Sequence, residues 1–172
     1  MRIIAGQWRG RRLVAPPGDA ARPTADRVRE AWMSIINPWL ADARVLDLFA
    51  GSGALGIEAL SRGAASADFV ENAAPSLQSI GENLASVGAG NEARVHRADA
   101  LKFIAALNAR EFDVAFADPP YDRGLAAQVA DRWLATPFAG LLGIEHRAFE
   151  RMPDGGERRK YGGTAITLYR SE

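Results

Sequence analysis

The stretch that decides the fold is Arg44-Val-Leu-Asp-Leu-Phe-Ala-Gly-Ser-Gly-Ala-Leu-Gly56. Its apolar residues from Val45 to Phe49 stand between turn residues and predict a buried β-strand, and Ala54 to Leu60 predict the helix that follows. The turn between them, from Gly51 to Gly56, fits the G-x-G-x-x-G pattern, whose glycines permit a tight turn and a close approach of a cofactor to the backbone. The stretch therefore predicts a nucleotide-type cofactor site, although a tight strand-to-helix connection has the same composition.

One acid within this stretch discriminates between cofactors. Asp47 comes four residues before Gly51, and we expect its carboxylate to face a bound cofactor across the turn. A pyrophosphate such as that of NAD would be repelled there. An ammonium or a sulfonium would be attracted by about 1 kcal/mol in water and by several kcal/mol in a partly dry cleft. Because S-adenosyl-L-methionine (SAM) carries both cations, it is the predicted cofactor.

The composition is that of one ordinary globular domain. The 172 residues suffice for one well-buried core and are too few for two domains of usual size. No apolar run is long enough to cross a membrane or to act as a signal peptide, so a cytoplasmic location is expected. With no cysteine and only His96 and His146, the sequence excludes disulfides, thiolate zinc sites, a cysteine nucleophile and a histidine-rich metal site. We expect a monomer that needs no metal.

Positive charge is concentrated near the amino terminus, although the net charge of the chain is zero. Residues 1–30 contain seven arginines and three acids, and Arg158-Arg-Lys160 is a second basic cluster. Arginine favours bidentate contacts with phosphate, but the nineteen arginines and two lysines of the chain could equally reflect a GC-rich genome. The distribution of charge, rather than its total, suggests a polyanionic partner.

The first fourteen residues predict an arginine-rich β-hairpin. Met1 to Val14 alternate loosely between apolar and polar residues around Gly6 and Gly10, and the hairpin extension is expected to span residues 1–20. Such a hairpin is either a solvated sheet edge whose charges oppose aggregation or an RNA-gripping extension with an aromatic ring for stacking. Its candidate RNA contacts, together with one arginine of the next helix, are Arg2, Trp8, Arg9, Arg11, Arg12 and Arg27.

A helix at residues 25–37 is predicted to lead into the core, which is expected to span residues 43–172. Thr24 is expected to cap this helix and Pro38 to end it. The apolar residues from Val28 to Trp39 recur at spacings of three and one, which is typical of one buried helical face.

Beyond this helix, strands and helices alternate along the chain. Such alternation produces βαβ crossovers and therefore predicts a Rossmann-like α/β fold with a mostly parallel, doubly wound sheet. Two strands that turn at Gly162-Gly163 add an antiparallel carboxyl-terminal hairpin. The predicted strands are Ala67–Glu71, Arg94–Arg97, Phe112–Ala117, Leu141–Glu145, Arg158–Tyr161 and Ala165–Tyr169, and the predicted helices are Ala74–Val87, Ala100–Arg110 and Gly124–Leu134.

Acids that follow the predicted strands are candidate cofactor ligands, because open α/β sheets bind ligands beyond the carboxyl ends of their strands. Glu71, 20 residues after Gly51, is placed to accept hydrogen bonds from both hydroxyls of a ribose, unless it is an exposed loop acid. Asp99 could accept from an adenine amino group beside the Ala100 backbone, cap the helix that begins at Ala100, or do both.

Asp118-Pro-Pro-Tyr121 is the most specific motif in the chain. Its two prolines lack backbone donors and push their predecessors toward extended conformations. The Asp118 carboxylate and the Pro119 carbonyl therefore form a cluster of acceptors, which suits an amino group with two N–H donors and does not suit a phosphate. Tyr121 adds a flat surface on which a base can stack. A turn that merely ends the strand is the alternative.

The exocyclic amine of a base is a poor nucleophile, because its lone pair is delocalised into the ring. Hydrogen bonds to Asp118 and Pro119 would orient that lone pair toward the SAM methyl group and stabilise the positive charge that develops on nitrogen. The carboxylate or water could then take the proton. This chemistry needs neither a nucleophilic side chain nor a metal.

Together these motifs resemble the Rossmann-type SAM-dependent amino-methyltransferases, which carry an (Asn/Asp)-Pro-Pro-(Tyr/Phe) motif, and among them the RsmD family. The resemblance covers nearly the whole chain, and its amino-terminal part is far more specific than the glycine turn. The residues that carry it are Met1–Leu13, Arg22–Glu30, Asp47–Gly56, Glu58–Ala64, Tyr161–Thr164 and Leu168–Arg170.

The RsmD family methylates N2 of one guanine, number 966 in the usual rRNA numbering, in bacterial 16S ribosomal RNA. The resemblance implies that this chain uses SAM, acts on 16S rRNA or an assembling 30S subunit, and touches RNA with its arginine hairpin. It implies a guanine site formed by Asp118, Pro119, Pro120 and Tyr121. It implies a cofactor site formed by Asp47, Phe49, Ala50, Gly51, Ser52, Gly53, Glu71, Asp99 and Ala100.

Three other functions fit part of the sequence. A DNA amino-methyltransferase shares the motif and the chemistry, but such enzymes usually carry a separate target-recognition domain for which this chain has no room. An NAD-dependent oxidoreductase is opposed by Asp47 and by the two prolines. An RNA-binding protein of the same fold without activity is opposed by the intact Asp118.

Overall fold

The computed structural model describes residues 1–18 and 23–172, with the side chains of all these residues except 23–25. Within these ranges the chain forms one sheet of seven strands, β1 (Arg44–Leu48), β2 (Ser66–Glu71), β3 (Ala93–Arg97), β4 (Phe112–Ala117), β5 (Ala139–Arg147), β6 (Glu157–Tyr161) and β7 (Thr164–Arg170). The same ranges contain the helices α1 (Pro23–Ile36), α2 (Ala54–Ser61), α3 (Ala74–Val87), α4 (Ala100–Ala105) and α5 (Leu125–Ala135). No helix in this described part of the chain has the length and apolar character needed to cross a membrane.

The order of strands in the sheet is β3-β2-β1-β4-β5-β7-β6. Strands β1 to β5 pair in parallel, and β7 runs antiparallel to both β5 and β6. This confirms the predicted Rossmann-like fold with an antiparallel carboxyl-terminal hairpin. The strand order reverses between β1 and β4, where Leu48 pairs with Ala117. Open α/β sheets bind their ligands at such a reversal, beyond the carboxyl ends of the strands.

Apolar side chains cover both faces of the sheet, as parallel strands between two layers of helices require. Along β1, Val45 packs on the face covered by α1, α2 and α3, whereas Leu46 and Leu48 pack on the face covered by α4 and α5. Trp32 of α1 is 1% exposed and meets Phe116 of β4 edge to face, with 5.6 Å between the ring centroids. The predicted apolar face of α1 is therefore part of the core.

Helix α4 ends at Ala105, well before the predicted end at Arg110. The guanidinium of Arg132, on α5, donates hydrogen bonds to the carbonyl oxygens of Ile104, Ala105 and Leu107 at 3.0, 3.1 and 3.2 Å. Carbonyls at a helix end have no partner within the helix. A side chain from the neighbouring helix supplies partners here, and the chain leaves the helix early.

Two other boundaries also differ from the prediction. Helix α1 begins at Pro23 rather than at Ala25, and the capping role predicted for Thr24 falls on a side chain outside the described part of the chain. Strand β5 spans Ala139–Arg147 and is longer than the predicted Leu141–Glu145. At its carboxyl end the additional residues His146 and Arg147 pair with β7, and at its start Ala139 pairs with Phe112 of β4.

The amino-terminal residues form a hairpin with sparse pairing. One antiparallel bridge joins Arg2 and Arg12, and the Ile3 amide donates to the Arg11 carbonyl at 2.9 Å. The backbone turns back at residues 7–10. The predicted hairpin is therefore present as two short paired segments rather than two regular strands.

A buried acid on α2 holds this hairpin against the core. The Glu58 side chain is fully buried, and its carboxylate accepts hydrogen bonds from the Ile4 and Ala5 amides at 2.8 and 3.0 Å. It also pairs with the Arg62 guanidinium at 3.0 Å. The Ser61 hydroxyl donates to the Ala5 carbonyl at 2.7 Å. Because these contacts satisfy a buried charge, the hairpin has a fixed position on α2.

Candidate functional site

The turn after β1 has a strained backbone. Strand β1 ends at Leu48, so Phe49, which the sequence places in the strand, belongs instead to the turn. The φ angles of Phe49, Gly51 and Gly53 are 56°, 58° and 81°. Positive φ is unfavourable for a bulky residue, and such strain concentrates at ligand sites. A Cβ atom added to Gly51 would meet nothing within 4 Å, so there is open space beside the turn.

Asp47 lies beneath this turn and not across from it, which corrects the placement predicted from the sequence. Its side chain is 2% exposed, and its carboxyl oxygen accepts a hydrogen bond from the Gly56 amide at 2.9 Å. Burial raises the pKa of Asp47 to about 8, the Gly56 amide opposes that shift, and the negative charge of Glu71 adds to it. Asp47 is thus not the exposed, ionised carboxylate expected from the sequence but a buried side chain that bonds the turn through the Gly56 amide.

Glu71, at the end of β2, holds the turn from the side. One carboxylate oxygen accepts a hydrogen bond from the Gly51 amide at 2.9 Å. The other accepts from the amides of Asn72 and Ala73 at 3.0 and 2.8 Å. Hydrogen bonds that involve a charged group are shorter and stronger than neutral ones. The acid that follows β2 therefore fixes the position of the turn after β1.

These contacts occupy amides that a dinucleotide would use. Dinucleotide sites place a pyrophosphate against glycine-turn amides and the following helix. Here the Gly51 amide donates to Glu71, the Gly56 amide to Asp47, and the Gly53 amide to the Ala50 carbonyl at 2.8 Å. The turn is thus lined by acids and has few amide donors for an anion. The predicted turn residues Phe49, Ala50, Gly51 and Ser52 are partly exposed, and Gly53 is buried.

Asp99, after β3, caps helix α4. Its carboxylate accepts a hydrogen bond from the Lys102 amide at 3.0 Å. This confirms the capping role predicted for Asp99, and Ala100, the first residue of the helix, is 5% exposed. The cap places the Asp99 side chain at the same sheet edge as the turn after β1, two strands away in the order β3-β2-β1.

The Asp118-Pro-Pro-Tyr121 motif directly follows β4 and stands next to the turn after β1. Ala117 pairs with Leu48 on one side and with Ile144 of β5 on the other. Parallel neighbours lie about 4.8 Å apart, so the first residues beyond the two strands, Phe49 and Asp118, are adjacent. Asp118 and Pro120 are exposed, whereas Pro119 is buried. The structure thus brings the predicted cofactor turn and the predicted acceptor motif together.

Tyr121 is held by side chains from two strands, β5 and β7. Its hydroxyl donates to a carboxylate oxygen of Glu145 at 3.3 Å and lies 3.0 Å from the Thr164 hydroxyl. The Arg147 guanidinium covers one face of the ring, 4.6 Å from the centroid, and pairs with Asp122 at 3.0 Å. Burial raises the pKa of Tyr121, and the neighbouring acids Glu145 and Asp118 contribute. The phenol is therefore neutral, with a fixed ring orientation.

Four residues of this network were not predicted as site residues, namely Trp32, Glu145, Arg147 and Thr164. The Trp32 indole donates to Glu145 at 3.2 Å and thereby joins α1 to the site. A signal did exist for Glu145, because it is an acid at the end of the predicted strand Leu141–Glu145. No local pattern indicates Trp32, which is 113 positions away from Glu145.

The six candidate RNA contacts differ in their surroundings. The side chains of Arg9, Arg12 and Arg27 are exposed. The Arg2 guanidinium donates to the Gly10 carbonyl at 2.9 Å, and the Arg11 guanidinium donates to the Ser86 carbonyl on α3 at 3.1 Å. Trp8 is half-buried against the core. Its ring is less available for stacking than the sequence suggested.

Asn83 of α3 connects the hairpin to the turn after β1. Its side chain is 1% exposed. The side-chain oxygen accepts from the Val14 amide at 2.8 Å, and the side-chain nitrogen donates to the carbonyls of Val14 and Ser52, each at 2.9 Å. The end of the hairpin and the glycine turn therefore share one buried side chain.

Comparison with known proteins places this site in context. The family described as conserved hypothetical protein 95 matches residues 1–170. Ribosomal RNA small subunit methyltransferase D of Escherichia coli is 46% identical over 158 residues, which cover 89% of this chain and 78% of that protein.

Solved structures of other proteins share the fold. Hypothetical protein TTHA0928 from Thermus thermophilus has a TM-score of 0.85 at 36% identity and covers 99% of each chain. The T. thermophilus 16S rRNA N2 G1207 methyltransferase, solved with AdoMet and guanosine, has a TM-score of 0.71 at 20% identity, covering 100% of this chain and 49% of that chain. The second likeness shows the common fold alone.

Proposed function

We propose that this chain transfers a methyl group from SAM to N2 of a guanine in small-subunit ribosomal RNA, because it belongs to the ribosomal RNA small subunit methyltransferase D (RsmD) family. The target is the guanine numbered 966 in the usual rRNA numbering, and the substrate is 16S rRNA or the assembling 30S subunit. The protein acts in the cytoplasm as a monomer.

The cofactor side is formed by the turn after β1 and the acids around it. The open space beside Gly51 gives a ligand room, and the amides of Gly51 and Gly56 already have carboxylate partners. A pyrophosphate would meet the Glu71 carboxylate there, whereas a cofactor with an ammonium and a sulfonium is attracted by it. Glu71 binds the ribose from its position beside the turn, and Asp99 with Ala100 borders the adenine.

The adjacency of Asp118 and the glycine turn is the observation that carries the proposal. The pairing of Leu48 with Ala117 makes the two predicted half-sites direct neighbours at the strand-order reversal. An acceptor amine on Asp118 is then next to a cofactor on the turn, as transfer between them requires.

The motif prepares the amine for attack. SAM supplies an electrophilic methyl group. The Asp118 carboxylate and the Pro119 carbonyl accept hydrogen bonds from the two N–H groups of the guanine amine, which directs the nitrogen lone pair and stabilises the charge that develops on it. The extra proton leaves to the Asp118 carboxylate or to water. Neither proline can donate a hydrogen bond, so the motif is selective for a donor.

Tyr121 orients the base. Its ring is held by Glu145 and Thr164, and Arg147 covers one face. The guanine stacks on the opposite face after it leaves the RNA stack. The exposed side chains of Arg9, Arg12 and Arg27 contact RNA phosphates.

Two measurements test this function against its rivals. Calorimetry with SAM and with NAD should show binding of SAM alone, and binding of NAD alone would overturn the cofactor assignment. Transfer of radiolabelled methyl groups from SAM should be seen with small-subunit RNA or particles and not with DNA of matched sequence. Labelling of the DNA would favour the DNA-methyltransferase alternative.

A further inference from the structure

Phe149 is 82% exposed, in the connection that follows β5. Among the described residues, the next most exposed large apolar side chain is Val14, at 46%. A single exposed apolar residue is ordinary on a protein surface. Phe149 differs because the same connection buries Met152, which is 9% exposed, only three residues later. The chain therefore buries the smaller apolar side chain, Met152, and leaves the aromatic ring of Phe149 exposed to solvent.

The backbone around Phe149 is held in place on both sides. The Arg158 guanidinium donates to the carbonyls of Ala148 and Glu150, at 2.8 and 2.6 Å. The Ala148 amide donates to the Gly163 carbonyl at 2.9 Å. These contacts flank Phe149 in the sequence, so the ring is presented from a fixed turn.

This turn lies at the edge of the sheet that carries the acceptor motif. Strand β5 runs parallel to β4 and ends at Arg147, whose guanidinium covers the Tyr121 ring. Phe149 is two residues further along the chain. A nucleic acid that delivers a base to Tyr121 therefore passes this turn.

The basic cluster on β6 completes the surface. Strand β6 is the outermost strand of the sheet. Arg158 and Lys160 are exposed and, two residues apart in a strand, lie on one face. Arg158 is joined to the turn of Phe149 on that face. The nearby acid Glu150 offsets one of these charges, and Arg147 is paired with Asp122.

We propose that Phe149 is a stacking platform for an unpaired RNA base that neighbours the target guanine, with Arg158 and Lys160 facing the adjoining phosphates. The inference rests on the proposed RNA substrate. Single-stranded nucleic acid is bound in this way, by aromatic rings beside positive charge. The surface extends the site beyond the arginines of the hairpin, which is held on α2 and α3.

A fluorescence measurement tests the stacking directly. A single-stranded RNA oligonucleotide carries 2-aminopurine at the position next to the target guanine, and stacking on an aromatic ring quenches its emission. Wild-type protein and Phe149→Tyr should quench, and Phe149→Ala and Phe149→Leu should not. The matched control is Leu134→Ala, which removes a different exposed apolar side chain, located on α5. This variant should behave as wild type.

Steady-state kinetics with small-subunit RNA and with assembled particles provide the second readout. For both substrates, Phe149→Ala should raise KM for RNA by about 5-fold to 100-fold, leave kcat within about twofold, and leave SAM affinity unchanged. Unchanged KM and undiminished quenching in Phe149→Ala would overturn the inference. So would a KM effect confined to assembled particles, because the ring would then contact a protein.

The two proposals fail in different ways. Quenching that depends on Phe149, without methylation of any ribosomal RNA by the wild type, refutes the proposed function and keeps the stacking surface. Methylation by the wild type without dependence on Phe149 keeps the function and refutes the surface. Absence of both refutes both.

Discussion

At the carboxyl ends of β1 and β2, acidic side chains hold backbone amides, whereas at the ends of β4 and β5 side chains hold one another. Asp47 accepts from Gly56, and Glu71 accepts from Gly51 and two further amides. Tyr121, by contrast, depends on the side chains of Glu145 and Thr164. The cofactor half is thus fixed through its backbone, and the acceptor half is assembled from side chains.

This difference matches the two ligands. A small cofactor needs a preformed pocket, and backbone amides bonded to acidic side chains give the turn one shape. In the proposed function an RNA base enters from outside, and accordingly Asp118 is exposed and one ring face of Tyr121 is covered by the arginine side chain of Arg147. Substitutions should therefore separate the two halves, with cofactor affinity governed by one and turnover by the other.

Asp118→Ala should give the largest effect. Loss of the acceptor for the amine should lower turnover by about 10²-fold to 10³-fold or more, while the dissociation constant of SAM stays within a few-fold. Methyl transfer under saturating SAM and calorimetry with SAM measure the two quantities. Near-normal turnover would mean that Asp118 does not bind the acceptor amine.

Glu71→Ala should act on the other half. The turn loses its lateral acceptor, and three amides lose a charged partner, so SAM affinity should fall by about 10-fold to 100-fold. Turnover at saturating SAM should recover. Glu71→Gln, which keeps one acceptor oxygen, is the matched control. Its SAM affinity should lie between those of the wild type and Glu71→Ala. Equal SAM affinity in all three proteins would contradict the claim that Glu71 fixes the cofactor half through backbone amides.

Replacement of Arg9 and Arg12 by alanine should weaken RNA binding without changing SAM affinity. Arg11 is left in place because its guanidinium donates to the Ser86 carbonyl. If each removed arginine contacts one phosphate, the slope of log affinity against log salt should flatten by about 1 to 2 units. A salt titration of RNA binding measures this slope. An unchanged slope would mean that the hairpin arginines do not contact RNA.

Asp47→Asn should change the pH dependence of stability. The folded protein holds the Asp47 proton up to about pH 8, whereas an unfolded chain releases it near the ordinary value of 3.8. The folded state therefore binds more protons between those values, and its stability falls as pH rises through that window. Relative to Asp47→Asn, wild-type unfolding free energy should decrease by up to about 1.4 kcal/mol per pH unit from pH 5 to pH 7.

Denaturant unfolding of both proteins at several pH values provides the comparison. Above about pH 8 the two curves should run parallel, because Asp47 is then ionised in both states of the wild type. Parallel curves throughout the range from pH 5 to pH 7 would mean that Asp47 titrates as an ordinary carboxyl group.

The cofactor half was largely predictable from the sequence because its pattern is local. The strand, the glycine turn and the helix lie within residues 44–61, and alternation of strands and helices sets the topology. The placement of Asp47 was not predictable, because the direction of its carboxylate depends on how α2 packs on the sheet. The acceptor half was predictable only at Asp118-Pro-Pro-Tyr121 itself.

Long-range contacts account for the remaining differences. The bond between Trp32 and Glu145 joins positions 113 apart, and the carbonyls at the early end of α4 accept hydrogen bonds from Arg132 on a different helix. Neither contact leaves a signal in residue spacing, since each depends on the packing of elements that the chain brings together only on folding.

Identification of the methylated nucleoside tests the central claim most directly. Small-subunit RNA methylated by the wild-type protein with labelled SAM would be digested to nucleosides, and the labelled nucleoside would be identified by mass spectrometry. The proposed function predicts N2-methylguanosine as the labelled product, absent with Asp118→Ala. A label on a different nucleoside, or the same product from Asp118→Ala at wild-type rate, would contradict it.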